Sequence, residues 1–85
     1  MRGEVILEQA ADIVVQRRGA YGEATVLFEQ IAKRWSLTLG VEITAAQVAL
    51  CLIDLKLARL TTDPAHTDSI KDVAGYAACL AEVTS

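Results

Sequence analysis

Residues Ala45 to Leu60 read AAQVALCLIDLKLARL, apolar on nearly every side of a helix, with only Gln47, Asp54, Lys56 and Arg59 interrupting. No strand alternates like this, and 16 residues with four polar interruptions are too few and too polar to span a bilayer. The segment is expected to form a central helix buried on several sides. Thr44 is a good N-cap for it, because its side-chain oxygen can take an unsatisfied N–H of the first turn.

The rest of the chain keeps the helical period. Glu4 to Arg17 places Ile6, Ala10, Ile13 and Val14 on one stripe, the pattern of an amphipathic helix. Its expected end is Arg17-Arg18-Gly19, where basic residues meet the negative helix terminus and Gly19 can take a left-handed cap. Ala20-Tyr21-Gly22 then makes a turn. Glu23 to Leu37 carries Ala24, Leu27, Phe28, Ile31 and Trp35 on one face, with Leu39-Gly40 as the stop. Thr61 to His66 forms a loop around the only proline, Pro64. Thr67 or Asp68 is the expected cap of a fourth helix, which runs to about Glu82 with Ile70, Val73, Ala74, Ala77, Leu80 and Ala81 inward. Residues 1–85 therefore read as one all-α domain of four helices, with loops near 18–22, 38–44 and 61–67.

A chain of 85 residues is small for unaided folding, yet 53% of it is hydrophobic, above the usual roughly 45–50%. The surplus needs a cover, and without a membrane span the natural one is a second copy. The expectation is an oligomer packed through the third or fourth helix, where Ala74, Gly75, Ala77 and Ala78 permit close approach. Eight Lys and Arg against eleven Asp and Glu leave a net charge of −3, which lacks the basic field that duplex nucleic acid requires. Cys51 and Cys79 sit in apolar helical stretches and fit no zinc spacing, so both read as small buried hydrophobes. No signal-peptide pattern opens the chain, and a reducing cytoplasm is the expected compartment.

Polar chemistry gathers at the junction of the last two helices, KLARLTTDPAHTDSIKDVAGY from Lys56 to Tyr76. Lys56 and Arg59 share a helix face and can grip a phosphate. They can equally pair with Asp68 or Asp72 to tie the two helices together. Asp68 and Asp72 can cap and complement the helix start, accept from a base amino group or a ribose hydroxyl, or hold Mg²⁺ with Asp54. His66 can meet a phosphate, act as an acid–base group or serve structure alone. A second cluster joins Arg17 and Arg18 to Tyr21, which can stack on a base while the arginines take phosphate. Its structural alternative is a helix cap with Tyr21 filling a corner of the core. Glu8 and Asp12 read as a solvated face, and Trp35 and Phe28 as core or subunit interface.

The linked segments RRGAYG, FEQIAKRWS, VALCLIDLKLARL and DPAHTDSIKDVAGYAA resemble a family of small phage and prophage proteins of unknown function, over almost the whole chain. That family in turn is distantly similar to the all-α nucleotide pyrophosphohydrolases of the MazG type, through the acidic helix start and small-residue run Asp72-Val73-Ala74-Gly75-Tyr76-Ala77. The MazG-type likeness implies a helical bundle and an E-x-x-E plus E-x-x-D carboxylate set that holds Mg²⁺. Here Asp72 matches the final Asp, Ser69 stands where a Glu belongs, and no E-x-x-E exists. In size and architecture the chain is also similar to small helical phage proteins of the anti-CBASS class, which soak up cyclic nucleotide signals of bacterial immunity.

The expected function is a non-catalytic phage protein that sequesters a nucleotide, possibly cyclic, in a pocket between subunits. Lys56, Arg59 and Arg17 or Arg18 would neutralise phosphate, Tyr21 would stack, Asp68 or Asp72 would read a polar edge, and His66 lies nearby. No cofactor, duplex nucleic acid or membrane partner is expected. The alternative is a Mg²⁺-dependent pyrophosphohydrolase completed by carboxylates of another subunit, such as Glu23 or Glu29. A third reading is a protein inhibitor acting through its apolar surface.

Overall fold

A computed structural model describes residues Met1–Ser85 as four α-helices without a strand: α1 (Gly3–Tyr21), α2 (Ala24–Leu39), α3 (Ala45–Thr62) and α4 (Thr67–Thr84). Each boundary has a local cause. α1 does not stop at Gly19, which lies inside the helix. Gly22 ends it instead, at φ 84° and ψ −171°, with its N–H donating to the Arg18 carbonyl at 2.9 Å. A helical glycine costs only about 1 kcal/mol relative to alanine, too little to break a helix whose next residues keep their hydrogen bonds. Gly22 adopts a backbone conformation open essentially to glycine alone, and there the chain can turn sharply into α2.

α2 ends at Gly40 in the left-handed region (φ 71°, ψ 18°), in line with the expected stop. Ser36 secures the following corner. Its hydroxyl donates to the Ala32 carbonyl at 2.7 Å and accepts from the Ile43 N–H at 2.8 Å. α3 opens with a full capping box: Gln47 N–H donates to Thr44 Oγ1 (3.1 Å), and Thr44 N–H donates to Gln47 Oε1 (2.9 Å). The cap of α4 is His66 rather than Thr67 or Asp68. Ser69 N–H donates to His66 Nδ1 at 3.2 Å, and Ser69 Oγ lies 2.7 Å from the same nitrogen. The ring reaches the free N–H of the first turn from one residue earlier than a shorter side chain was expected to.

α4 is the helix that all others share. It packs along α3 and α1 and also meets α2, whereas α1 barely touches α2 and does not touch α3. The buried core joins α2 and α3 through Phe28, Ala32, Ala45, Val48 and Ala49, with Trp35, Leu52, Tyr76, Leu80 and Val83 packed around it. α1 adds only Ala10 to the buried set.

This arrangement corrects the expectation for α3. Only Ala45, Val48 and Ala49 of that helix are buried. Leu50, Leu55 and Leu57 face solvent, and so does Cys51, which the sequence had placed inside. α1 lies against α4 instead of roofing α3, so the outer face of α3 has no neighbour within the chain. Only seven of 85 residues are buried, so much of the apolar surplus stays on the surface of one copy. No helix is long and apolar enough to cross a membrane.

Candidate functional site

Because α1 leans on α4 and diverges from α2, a cleft of about 330 Å³ opens among the three helices. It forms within one chain, so a second subunit is not needed to enclose it. Its inner surface is apolar: Ile13 and Val14 of α1, Leu27, Phe28 and Ile31 of α2, and Leu52 of α3. The helical period explains this lining, since these residues belong to the stripes that face inward on each helix. α4 supplies one wall through Asp72, Gly75, Tyr76 and Cys79, which recur at helical spacing on a single face. Gly75 keeps that wall open, because a methyl group there would meet nothing nearer than Val14 Cγ2 at 4.0 Å.

Polar groups gather at the rim. Arg17, Arg18 and Tyr21, from the last turns of α1, line it together with Lys71, Asp72 and Glu82 of α4. Arg18 bridges three helix ends, with Nη2 2.8 Å from Glu82 and Nε 3.5 Å from Glu23. Such exposed pairs hold geometry more than they add stability, contributing about 0–1 kcal/mol each. Arg17 pairs with no carboxylate, and its charge is free for a ligand. Tyr21 is 65% exposed at the mouth, so it does not fill a corner of the core. Burial pushes the Cys79 thiol above its ordinary value, and the nearby Glu82 carboxylate pushes it the same way. Cys79 is therefore a neutral thiol in the wall.

The sequence candidates separate into two groups. Arg17, Arg18, Tyr21 and Asp72 come together at the cleft. Lys56 stands behind Asp72, its Nζ 3.1 Å from Oδ2, both side chains about three-quarters buried (24% and 23% exposed). Of the two partners the sequence allowed, it is Asp72 that ties α3 to α4. Arg59 points to solvent and does not line the cleft. His66 is engaged as the α4 cap, and Asp68 lies outside the cleft beside Lys71 at 3.5 Å, 79% exposed. The periodicity of α4 pointed Ile70, Val73, Ala74, Ala77, Leu80 and Ala81 inward, but Ala77 and Ala81 are exposed and the face with Asp72, Gly75, Tyr76 and Cys79 lines the cleft instead. What it could not show is that α1 stands opposite.

The donor set does not fit the Mg²⁺ site that the MazG-type resemblance implies. Asp72 is neutralised by Lys56, Ser69 is buried against His66, and Asp54 is exposed on α3. No three His, Cys, Asp or Glu side chains converge.

Comparison with known proteins places the chain in a family. The model of the "Domain of unknown function (DUF6378)" matches residues 5–84. The gene 55 protein of Mycobacterium phage L5 is 42% identical over 77 residues, covering 88% of this chain and 49% of that protein. The gene 55 protein of Mycobacterium phage D29 is 37% identical over 81 residues, covering 94% of this chain and 54% of that protein. The chain thus spans about half the length of these phage relatives. No solved structure matches it. The expected kinship with small phage proteins holds, and the chain belongs to the DUF6378 family.

Proposed function

We propose that the cleft binds a nucleotide and holds it without cleaving it, so that the protein withdraws a nucleotide signal from solution. One observation carries this reading: an apolar, partly aromatic cleft of about 330 Å³ has two arginines and a tyrosine at its mouth. That volume lies at the small end of the range for small-molecule sites. Arg17 would take phosphate with its unpaired guanidinium, and Arg18 would join by exchanging Glu82 for the ligand. Tyr21, open at the mouth, would stack on a base or cover it. Lys56, Arg59, His66 and Asp68 have no direct contact in this reading.

The absence of cleavage is inferred from what the polar residues already do. His66 is spent on a helix cap and Asp72 on Lys56, and neither is placed to activate water. The phage origin of the relatives supports a setting in which withholding a host signal, such as a cyclic nucleotide of bacterial immunity, would serve the virus. We further infer that a second copy covers the exposed face of α3 at Leu50, Leu55 and Leu57, where a solvated apolar surface would otherwise remain.

The test is depletion and recovery. The protein is mixed with a panel of linear and cyclic nucleotides and Mg²⁺, filtered, and then heated to release what it held. Recovery of an intact nucleotide is the expected result. A monophosphate product would identify a hydrolase of the MazG type, and no depletion of any nucleotide would sink the binding reading. Light scattering on the same sample tests the assembly, which a monomer at micromolar concentration would exclude.

A further inference from the structure

The wall of the cleft contributed by α4 carries chemistry that phosphate binding does not use. Asp72 and Glu82 are ten residues apart on that helix, about 15 Å at 1.5 Å per residue. The arginines stand at the Glu82 end. Phosphate contacts and Asp72 therefore lie at opposite ends of the cleft. Between them Gly75 leaves open space against the helix backbone, and the half-buried Tyr76 adds an aromatic side chain. A bound nucleotide has one orientation that satisfies both ends, with its phosphate at the arginines and its base toward Asp72.

Asp72 is not free to turn away. Its Oδ2 is held by Lys56 at 3.1 Å and keeps a second lone pair, so that both carboxylate oxygens can accept from a ligand. An ionised carboxylate can only accept, so what it meets must donate. Guanine is the base whose pairing edge offers two adjacent donors, the ring N1–H and the 2-amino group. Adenine and cytosine set a ring nitrogen lone pair beside their single amino group. Uracil places one N–H between two carbonyls. A carboxylate facing any of these meets at least one lone pair, at an energetic cost. The ammonium of Lys71, also in the lining and only 19% exposed, stands 3.5 Å from the exposed Asp68 and would turn from it to donate to the guanine 6-oxo group.

Resting on the nucleotide reading above, we propose that Asp72 makes the cleft selective for guanine, with Lys56 as the residue that positions it. A site built around paired hydrogen bonds rejects analogues that lack them, because its own polar group is then left unmatched. The selectivity is thus a property of Asp72 and not of the arginines.

Titration calorimetry on the full chain with GMP, IMP, AMP, CMP and UMP tests this. GMP should bind at least about tenfold more tightly than the others, the worth of one charge-assisted hydrogen bond. IMP, which differs from GMP only by lacking the 2-amino group, is the decisive comparison and needs no variant. Asp72→Asn should bring the five ligands within about threefold of one another while some binding remains through Arg17 and Tyr21. Equal binding of GMP and IMP by the unaltered protein would overturn the role of Asp72 and leave the nucleotide reading standing. A preference for GMP that survives in Asp72→Asn would likewise overturn it. Binding of none of the five would overturn the guanine selectivity, and the depletion panel with its cyclic members then decides the nucleotide reading by itself.

Discussion

Gly75→Ala is a substitution whose outcome the geometry decides. Gly75 sits in the interior of α4, where glycine costs about 0.5–1 kcal/mol relative to alanine through the freedom it loses on folding. The added methyl would approach only Val14 Cγ2, at 4.0 Å, an ordinary van der Waals distance that asks nothing of α1. The full helix-propensity gain should therefore appear as stability, about 0.5–1 kcal/mol. For a domain of this size 1 kcal/mol moves Tm by about 4–8 °C, so the expected rise is about 2–8 °C by scanning calorimetry. Urea unfolding should show a higher midpoint with an unchanged slope. A fall in Tm would mean that α1 lies closer to α4 than this packing allows, and the account of the cleft as open space would fail with it. Gly75→Leu extends the test from stability to function. Its side chain would occupy the cleft, so the variant should fold and lose nucleotide binding at least tenfold; binding like that of the unaltered protein would move the ligand elsewhere.

Three further outcomes follow from the same contacts. Gly22→Ala should destabilise by about 1–3 kcal/mol in urea, because the backbone at φ 84° and ψ −171° excludes a Cβ. His66→Ala should lower stability by about 1 kcal/mol through loss of the α4 cap and leave nucleotide affinity unchanged, a separation that would fail if the ring touched ligand. In alkylation followed by mass spectrometry, exposed Cys51 should react well before Cys79, whose thiol burial pushes up. Bound nucleotide should slow Cys79 alone, and equal protection of both thiols would contradict the placement of the cleft.

Sequence alone carried what is decided locally. The four helices, the Thr44 cap and the Gly40 stop follow from residues within one or two turns of each other. The end of α1 was misjudged because two glycines compete there, and the one that tolerates the turn outranks the one that merely weakens a helix. His66 was not expected as a cap because imidazole seldom takes that place. The exposure of α3 and Cys51 was hidden for a different reason: apolar periodicity marks which face needs covering and not which helix covers it. The site was half legible. Arg17, Arg18, Tyr21 and Asp72 were chosen for their chemistry, but they lie about fifty residues apart in the chain, and only the parallel approach of α1 to α4 unites them. Lys56 and Arg59, adjacent on paper, part company because one reaches Asp72 and the other faces water.

The central claim is the location of the ligand, and amide chemical-shift mapping reads it directly. ¹⁵N-labelled protein is titrated with whichever nucleotide the depletion assay recovers. The shifts should concentrate at Val14, Arg17, Tyr21 and Gly22 on one side of the cleft and at Asp72, Gly75 and Tyr76 on the other. Shifts centred instead on Arg59 and the loop before His66, or none at saturating nucleotide, would contradict the account.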